Sequence, residues 1–268
     1  MRAVFKIGDR ALANAFSDSS LRDLEQVYRH IQTVLVHGGG DTVTRIAEQL
    51  SIPQEFITSP EGYKSRLTDE QTIEVYTMVM GGKVNKRIVR DLLKTGIRAV
   101  GLSGIDGGII QATRKARIIA KDPNGRRRVI DGGFTGHITS VGRQLIDTVL
   151  SEKYLPVIAP IALGTSFEPL NVDGDRAASR IATAIGADLL VLLTDVDRIL
   201  VEGKPVEKWS VDEAKRNLPI LGPGMNTKVQ AAIEAVSHGV GKAVIGPSAG
   251  ESPYSAAIAA ETGTVIIP

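Results

Sequence analysis

The sequence has no cysteine, which excludes disulfides, thiolate zinc sites and cysteine nucleophiles together. Histidine is scarce: His30, His37, His137 and His238 are the whole set, and their spacing suits no metal cluster. No apolar run is long enough to cross a bilayer, and the opening MRAVFKIGDR is too briefly apolar for a signal peptide. A cytoplasmic protein with no membrane partner and no protein metal ligands is therefore expected. Charge of one sign is also missing, the net being +2, so the whole-molecule field argues for no class of partner. What remains is ordinary globular material. The 268 residues, 43% hydrophobic and 23% charged, suffice for one large α/β domain or two lobes.

Short β-branched runs at 4–7, 33–37, 99–103, 155–160, 189–194 and 242–245 read as strands. Amphipathic patterns at 21–31, 42–50, 69–80, 84–93, 142–150, 175–185 and 228–237 read as helices. This alternation, with nearly all-apolar strands, predicts an α/β fold with a mainly parallel sheet covered by helices on both faces. A Gly-Thr-Ser loop after a strand suggests two lobes, 1–162 and 163–268, with a soft boundary near 161–167. Asp-Pro-Asn-Gly at 122–125 is a turn signal and predicts a β-hairpin. Around it, Arg114, Lys115, Arg117, Lys121, Arg126, Arg127 and Arg128 face a single acid, Asp122. That charge reads either as a solvated hairpin or as a docking surface for something acidic. Nucleic acid fits poorly, because no aromatic side chains interleave to stack on bases.

Several segments carry chemistry. V-L-V-H-G-G-G at 34–40 runs an apolar strand into three glycines and then a helix. The N–H groups of Gly39 and Gly40 beside a helix N-terminus suit an anion; the alternative is a tight turn that binds nothing. The segment fits neither a Walker loop nor a dinucleotide fingerprint, since Gly-Lys-Ser/Thr and the G-x-G-x-x-G spacing are both absent. In F-K-I-G at 5–8, Lys6 sits in an apolar strand, where burial requires an anion: either a ligand or a structural carboxylate. L-N-V-D-G-D-R-A-A at 170–178 leads two acids and Asn171 into a helix, with Asp173 or Gly174 available as the cap and Asp175 placed to hold lysines. V-L-L-T-D-V-D at 191–197 is a strand ending in polar groups, the usual place for nucleotide contacts. L-G-P-G-M-N-T-K at 221–228 is a glycine loop that ends in Lys228 at a helix start. Two lysines and two glycine loops, without a base or metal cluster, point to phosphoryl transfer, where positioning and charge stabilisation dominate.

These pieces, with S-R-L-T-D-E-Q-T-I-E-V, V-N-K-R-I-V and V-G-L-S-G-I-D-G, resemble the acetylglutamate kinase branch of the amino acid kinase family over essentially the whole chain. The resemblance implies an open sheet whose N-terminal lobe binds the acceptor carboxylate and whose C-terminal lobe binds ATP, with Mg2+ held mainly through the phosphates. It implies that Lys6 and Lys228 stabilise the transferring phosphoryl group and that Asp175 organises them. Gly39 and Gly40 would hold the phosphoryl group or the acceptor carboxylate, and Arg66 and Asn171 the substrate's α-carboxylate and amide. Thr194, Asp195, Asp197 and Leu200, with Gly224, Met225 and Lys228, would line the nucleotide. Two departures stand out. Lys6-Ile7-Gly8-Asp9 puts a carboxylate at the family's second glycine, where it repels phosphate unless it turns away or pairs with Arg10. Asp195-Val196-Asp197-Arg198 puts an arginine beside the expected nucleotide.

The branch contains kinases of free N-acetylglutamate and relatives that act on 2-aminoadipate or glutamate attached to an acidic carrier protein of the LysW type. Gly62-Tyr63-Lys64-Ser65-Arg66 looks like the carrier branch's extended approach to the arginine. The basic segment supplies complementarity to an acidic partner. Lys64, Arg114, Lys115, Arg117, Arg126, Arg127 and Arg128 are thus the expected carrier-docking residues, with a free N-acetylglutamate kinase as the alternative. A non-catalytic regulatory subunit is a third reading, and keeping both lysines argues against it. The resemblance implies a homodimer, and insensitivity to arginine, because the first strand begins within a few residues of Met1.

Overall fold

The computed structural model describes every residue except 61 and 122–124, and only the backbone at 64 and 121. The chain opens with β1 (Arg2–Ile7), α1 (Leu12–Ala15) and α2 (Asp18–His30), returns through β2 (Gln32–His37) and turns into α3 (Gly40–Gln49). The strands β3 (Glu55–Thr58) and β4 (Lys64–Leu67) lead to α4 (Glu70–Thr77), a π-helical segment at Met78–Val84, α5 (Asn85–Lys94) and β5 (Ala99–Ser103). Then come β6 (Ile110–Arg114), β7 (Arg117–Lys121), β8 (Arg127–Asp131), β9 (Gly136–Val141), α6 (Gln144–Ser151) and β10 (Leu155–Ala159). The strands β11 (Ile161–Leu163) and β12 (Pro169–Asn171) precede α7 (Gly174–Ala184) and β13 (Leu189–Thr194). The chain finishes with β14 (Leu200–Val201), β15 (Lys204–Pro205), β16 (Lys208–Ser210), α8 (Val211–Asn217), α9 (Met225–Ser237), β17 (Lys242–Pro247), α10 (Pro253–Ala259) and β18 (Thr264–Ile267).

The central sheet has the order β16-β18-β17-β13-β1-β2-β10-β5, and its pairs are parallel except β17 with β18. Four strands from one half of the chain lie on one side of the β1–β13 seam and four from the other half on the other, so one sheet crosses the boundary near 161–167. Alternation fixes what each face meets. Val4, Val34, Val36, Leu190 and Leu192 pack towards Ala177, Ala178 and Ile181 of α7 and Val229 and Ala232 of α9. Phe5, Ile7, Leu35, Val191 and Leu193 pack the opposite way, onto Leu24 of α2, Val43 of α3 and Tyr254 of α10. Both faces of the inner strands are buried, which is why they read as continuous apolar runs.

A second sheet, β12-β11-β6-β9, folds over the ends of β5 and β10. The hairpin β7–β8 pairs Arg117 with Asp131 through to Lys121 with Arg127, while most of its expected turn lies outside the described residues. The helix expected over 69–80 changes character: the α-helix stops at Thr77 and Met78–Val84 is π-helical around Gly81 and Gly82. Among the described residues, no helix is long and apolar enough to cross a membrane.

Candidate active site

The strand order reverses at the β1–β13 seam: β1 is flanked by β2 on one side, β13 by β17 on the other. Loops leaving the two carboxyl ends therefore diverge and leave a crevice. Lys6, next to last in β1, shares its face with Val4 and emerges on the side of α7 and α9. There its Nζ lies 2.7 Å from Asp175 Oδ1, in the first turn of α7, as a charge contact rather than an aligned hydrogen bond. Lys228, in the first turn of α9, donates to Asp175 Oδ2 at 3.1 Å. The three side chains are only 9%, 6% and 14% exposed, taken as Lys6, Asp175 and Lys228.

One carboxylate between two ammonium groups leaves the trio with a net positive charge. Burial opposes the Lys6 ammonium, but Asp175, with help from Asp173 and Asp9, outweighs it and holds the pKa above the ordinary lysine value. Burial also disfavours the Asp175 carboxylate, yet the two lysines keep it below the usual range. Lys228 goes the other way, lowered by burial and by repulsion from Lys6 despite its bond to Asp175. Asp173, which caps α7 by accepting from Arg176 N at 2.8 Å, is pushed up by burial and by Asp175.

Opposite this trio stands the glycine loop. A Cβ on Gly39 would come within 2.8 Å of Met80 Sδ and 3.1 Å of Val84 Cγ2, so the π-helical segment presses on a backbone that has room only for glycine. His37 anchors the loop from below. Its Nδ1–H donates to Gly38 O at 2.8 Å and its Nε2 accepts from Asn85 Nδ2 at 3.2 Å, a pattern that fixes the neutral tautomer. Burial pushes its pKa down to about 4, against an ordinary value of 6.5. An unfolded His37 takes up a proton as pH falls through 6.5 and the folded one does not until about 4, so stability present above 6.5 is lost across that window. Urea unfolding should show a loss of about 2 kcal/mol from this group between about pH 7 and about pH 5. His37→Gln should lack that part of the slope; an equal slope in both proteins would contradict the assignment.

Arg66, on β4, is buried against the same loop. Its Nη2 donates to Gly40 O at 2.8 Å and Thr44 Oγ1 at 2.9 Å, its Nη1 donates to Gln54 Oε1, and its guanidinium lies 4.8 Å from the Phe56 ring centre. Asn171, at the end of β12, gives one amide hydrogen to Thr68 Oγ1 at 3.0 Å. Lys6, Gly39, Gly40, Arg66 and Asn171 all line one cavity of about 900 Å3. Its walls continue past Lys115 and Ile118 of the hairpin region to Arg176 and Arg180 of α7.

Asp9 corrects the expectation. It neither turns away nor pairs with Arg10. Its Oδ2 accepts the backbone N–H of Asp41 at the start of α3, inside the cavity, with burial raising its pKa. Arg10 instead reaches Asp195 Oδ2 at 3.4 Å. Arg198 does not stand free beside a nucleotide: it pairs with Glu207 at 2.9 Å and donates to Glu261 O at 3.3 Å.

None of the expected nucleotide residues, Lys228 included, lines the cavity; the rest sit at the carboxyl end of β13 and before or at the start of α9. Thr194 is buried and its Oγ1 bonds Asp195 Oδ1 at 3.1 Å; Asp195, Asp197, Leu200 and Gly224 are exposed and Met225 half-buried. Of the expected docking residues, Arg114 stacks 4.4 Å over Phe134, and Arg117, Arg126, Arg127 and Arg128 are exposed. The Lys64 side chain lies outside the described residues. His37, Asn85, Gln54 and Thr68, which hold the loop, Arg66 and Asn171 in place, had no role assigned from the sequence. All but Gln54 lay inside recognised motifs: V-L-V-H-G-G-G, V-N-K-R-I-V and S-R-L-T-D-E-Q-T-I-E-V.

The sequence pattern of the Amino acid kinase family matches residues 1–247. A LysW-aminoadipate/LysW-glutamate kinase from Metallosphaera sedula is 45% identical over 245 residues, covering 91% of this chain and 92% of the relative. A protein of the same name from Saccharolobus islandicus is 41% identical over 265 residues, 98% of each. Among solved structures, N-acetylglutamate synthase from Neisseria gonorrhoeae superposes with a TM-score of 0.81 at 20% identity, over 100% of this chain and 59% of that one. Carbamate kinase from Giardia lamblia bound to AMP-PNP superposes at 0.69 with 15% identity, over 99% and 98%. The two structures share the fold; the full-length sequence relatives and the matched pattern go further, and the chain belongs to the amino acid kinase family.

Proposed function

We propose that the protein transfers the terminal phosphoryl group of ATP to the side-chain carboxylate of 2-aminoadipate or glutamate held in amide linkage on an acidic carrier protein. The observation that carries this reading is the Lys6–Asp175–Lys228 bridge, whose Lys6 lines one cavity together with the glycine loop and with Lys115 and Ile118 at the start of the basic hairpin. The names of the full-length relatives support the acceptor. A carboxylate is already a nucleophile, so the reaction needs no general base. Its oxygen attacks the terminal phosphorus as the bond to the departing ADP oxygen breaks, giving an acyl phosphate. Arg66 grips the α-carboxylate, Asn171 the amide, and the Gly39–Gly40 backbone the reacting carboxylate. Lys6 and Lys228 meet the charge on the equatorial and leaving oxygens, and Asp175 keeps them at fixed separation. ATP supplies the phosphoryl group, its base lying against Thr194, Asp195, Asp197, Leu200, Gly224 and Met225. Mg2+ would accompany ATP, held mainly through the phosphates. The same reading places acceptor binding in residues 1–162, nucleotide binding in 163–268, the chain in a homodimer and the enzyme in the cytoplasm.

Docking follows from the hairpin. Changing Arg126, Arg127 and Arg128 together to glutamine should lower kcat/KM for the carrier-linked substrate at low salt and flatten its salt dependence, because rim charges act on association. KM for ATP should hardly move. Equal kcat/KM and equal salt slopes for wild type and variant would remove the hairpin from the docking surface.

A further inference from the structure

Asp9 has no part in the chemistry proposed above, yet it lies among the groups that carry it. It follows β1 by two residues and lines the cavity together with Lys6, Gly39 and Gly40. Its Oδ2 accepts the backbone N–H of Asp41 in the first turn of α3. Gly40, one residue before, marks the place: a Cβ there would stand 3.6 Å from Asp9 Oδ2 and 3.7 Å from Arg66 Nη2. The two loops are close-packed, since a Cβ on Gly38 would come within 2.9 Å of Asp9 N. An anion therefore already sits at the start of α3, on the cavity side, and the protein itself supplies it.

Its surroundings are charged on every side. Burial raises the Asp9 pKa, helped by the charge of Asp41 and opposed by the Asp41 N–H, by Lys6 of β1 and by Arg66 of β4. Tyr76 of α4 is buried and neutral, and its hydroxyl donates to Pro160 O at 3.3 Å. Arg10, the next residue, is turned away to Asp195. We infer that the Asp9 carboxylate occupies the place of the acceptor's reacting carboxylate while the site is empty, and that an acceptor must displace it to bind. The inference rests on the seat given above to that carboxylate at the Gly39–Gly40 backbone. Two carboxylates brought to one helix-terminal N–H repel each other. The penalty is the same for every acceptor, so it bears hardest on a small one with no further contacts to offset it.

Calorimetric binding tests it without depending on turnover. Free N-acetylglutamate and N-acetyl-2-aminoadipate are titrated, with AMP-PNP and Mg2+ present, into wild type, Asp9→Asn and Asp9→Gly. Asp9→Asn keeps an oxygen for the Asp41 N–H and loses only the charge, whereas Asp9→Gly vacates the place. Both variants should bind the better acceptor about tenfold more tightly than wild type. The gap between wild type and Asp9→Asn should narrow as pH falls from about 8 to about 5, because a protonated Asp9 no longer repels a carboxylate. Other groups that gain protons over that range are common to both proteins and cancel. Equal affinities in all three proteins, no measurable binding to any of them, or a gap that is the same at every pH would overturn the inference. So would weaker binding to Asp9→Gly, which would make Asp9 a clasp that holds α3 and the loop together. A gain seen only for AMP-PNP titrated alone would assign the place to the phosphoryl group and overturn it likewise. Because each arm compares variants on the same small acceptors, it stands or falls separately from whether the carrier-linked substrate is the one turned over.

Discussion

Lys228→Ala should lower kcat by roughly 100- to 1000-fold, the range found when a preorganised donor to a developing anion is lost. Lys228 shares the single Asp175 carboxylate with Lys6, so the trio carries a net positive charge. Asp175 keeps its 2.7 Å contact with Lys6 in this variant, so no buried carboxylate is stranded and the protein folds. ATP should bind with nearly its original affinity, because most of the proposed nucleotide contacts lie elsewhere. Rapid-quench measurement of phosphoryl transfer, alongside nucleotide binding by calorimetry, separates the two effects. Near-normal transfer would remove Lys228 from the chemistry.

Asp175→Asn has the largest structural effect. It leaves two ammonium groups side by side in a site where burial is nearly complete. Breaking a buried ion pair by deleting one partner costs about 3–5 kcal/mol. Thermal unfolding should therefore shift down by many degrees, and kcat should fall roughly 100-fold, since the lysines lose their fixed separation. A wild-type melting temperature would mean the bridge is weaker than its geometry, and an unchanged kcat would mean that it positions nothing. Asp175 is held below the ordinary carboxylate range, so its contribution is complete above about pH 4 and is lost only on further acidification. The wild-type advantage over Asp175→Asn should stay constant from about pH 5 to about pH 8.

Some of this could be read from the sequence and some could not. The strands β1, β2, β5, β10, β13 and β17 announce themselves, since residues buried on both faces write unbroken apolar runs. The short strands β16 and β18 escape that rule. α3 and α9 begin two or three residues earlier than their apolar patterns, because Gly39 and Gly224 cap them without a side-chain signature. The π-helical segment arises from how Met80 and Val84 meet Gly39, a contact between distant stretches. The motifs named Lys6, Asp175 and Lys228 because each chemical type sits at an element end. The sequence could not show that Asp9 bonds to Asp41 N, that His37 meets Asn85 48 residues away, or that the Thr135 hydroxyl is buried without a hydrogen-bond partner. Those facts exist only once the sheet has brought separate segments together.

The central claim is an acceptor held in amide linkage on an acidic carrier, and one assay meets it directly. Purified protein with ATP and Mg2+ is offered the carrier-linked aminoadipate and glutamate and, separately, free N-acetylglutamate and N-acetyl-2-aminoadipate, with acyl phosphate trapped by hydroxylamine. The account predicts turnover of the carrier-linked substrates, with kcat/KM at least about 100-fold above either free compound. Efficient phosphorylation of free N-acetylglutamate, with none of the carrier-linked substrates, would contradict it.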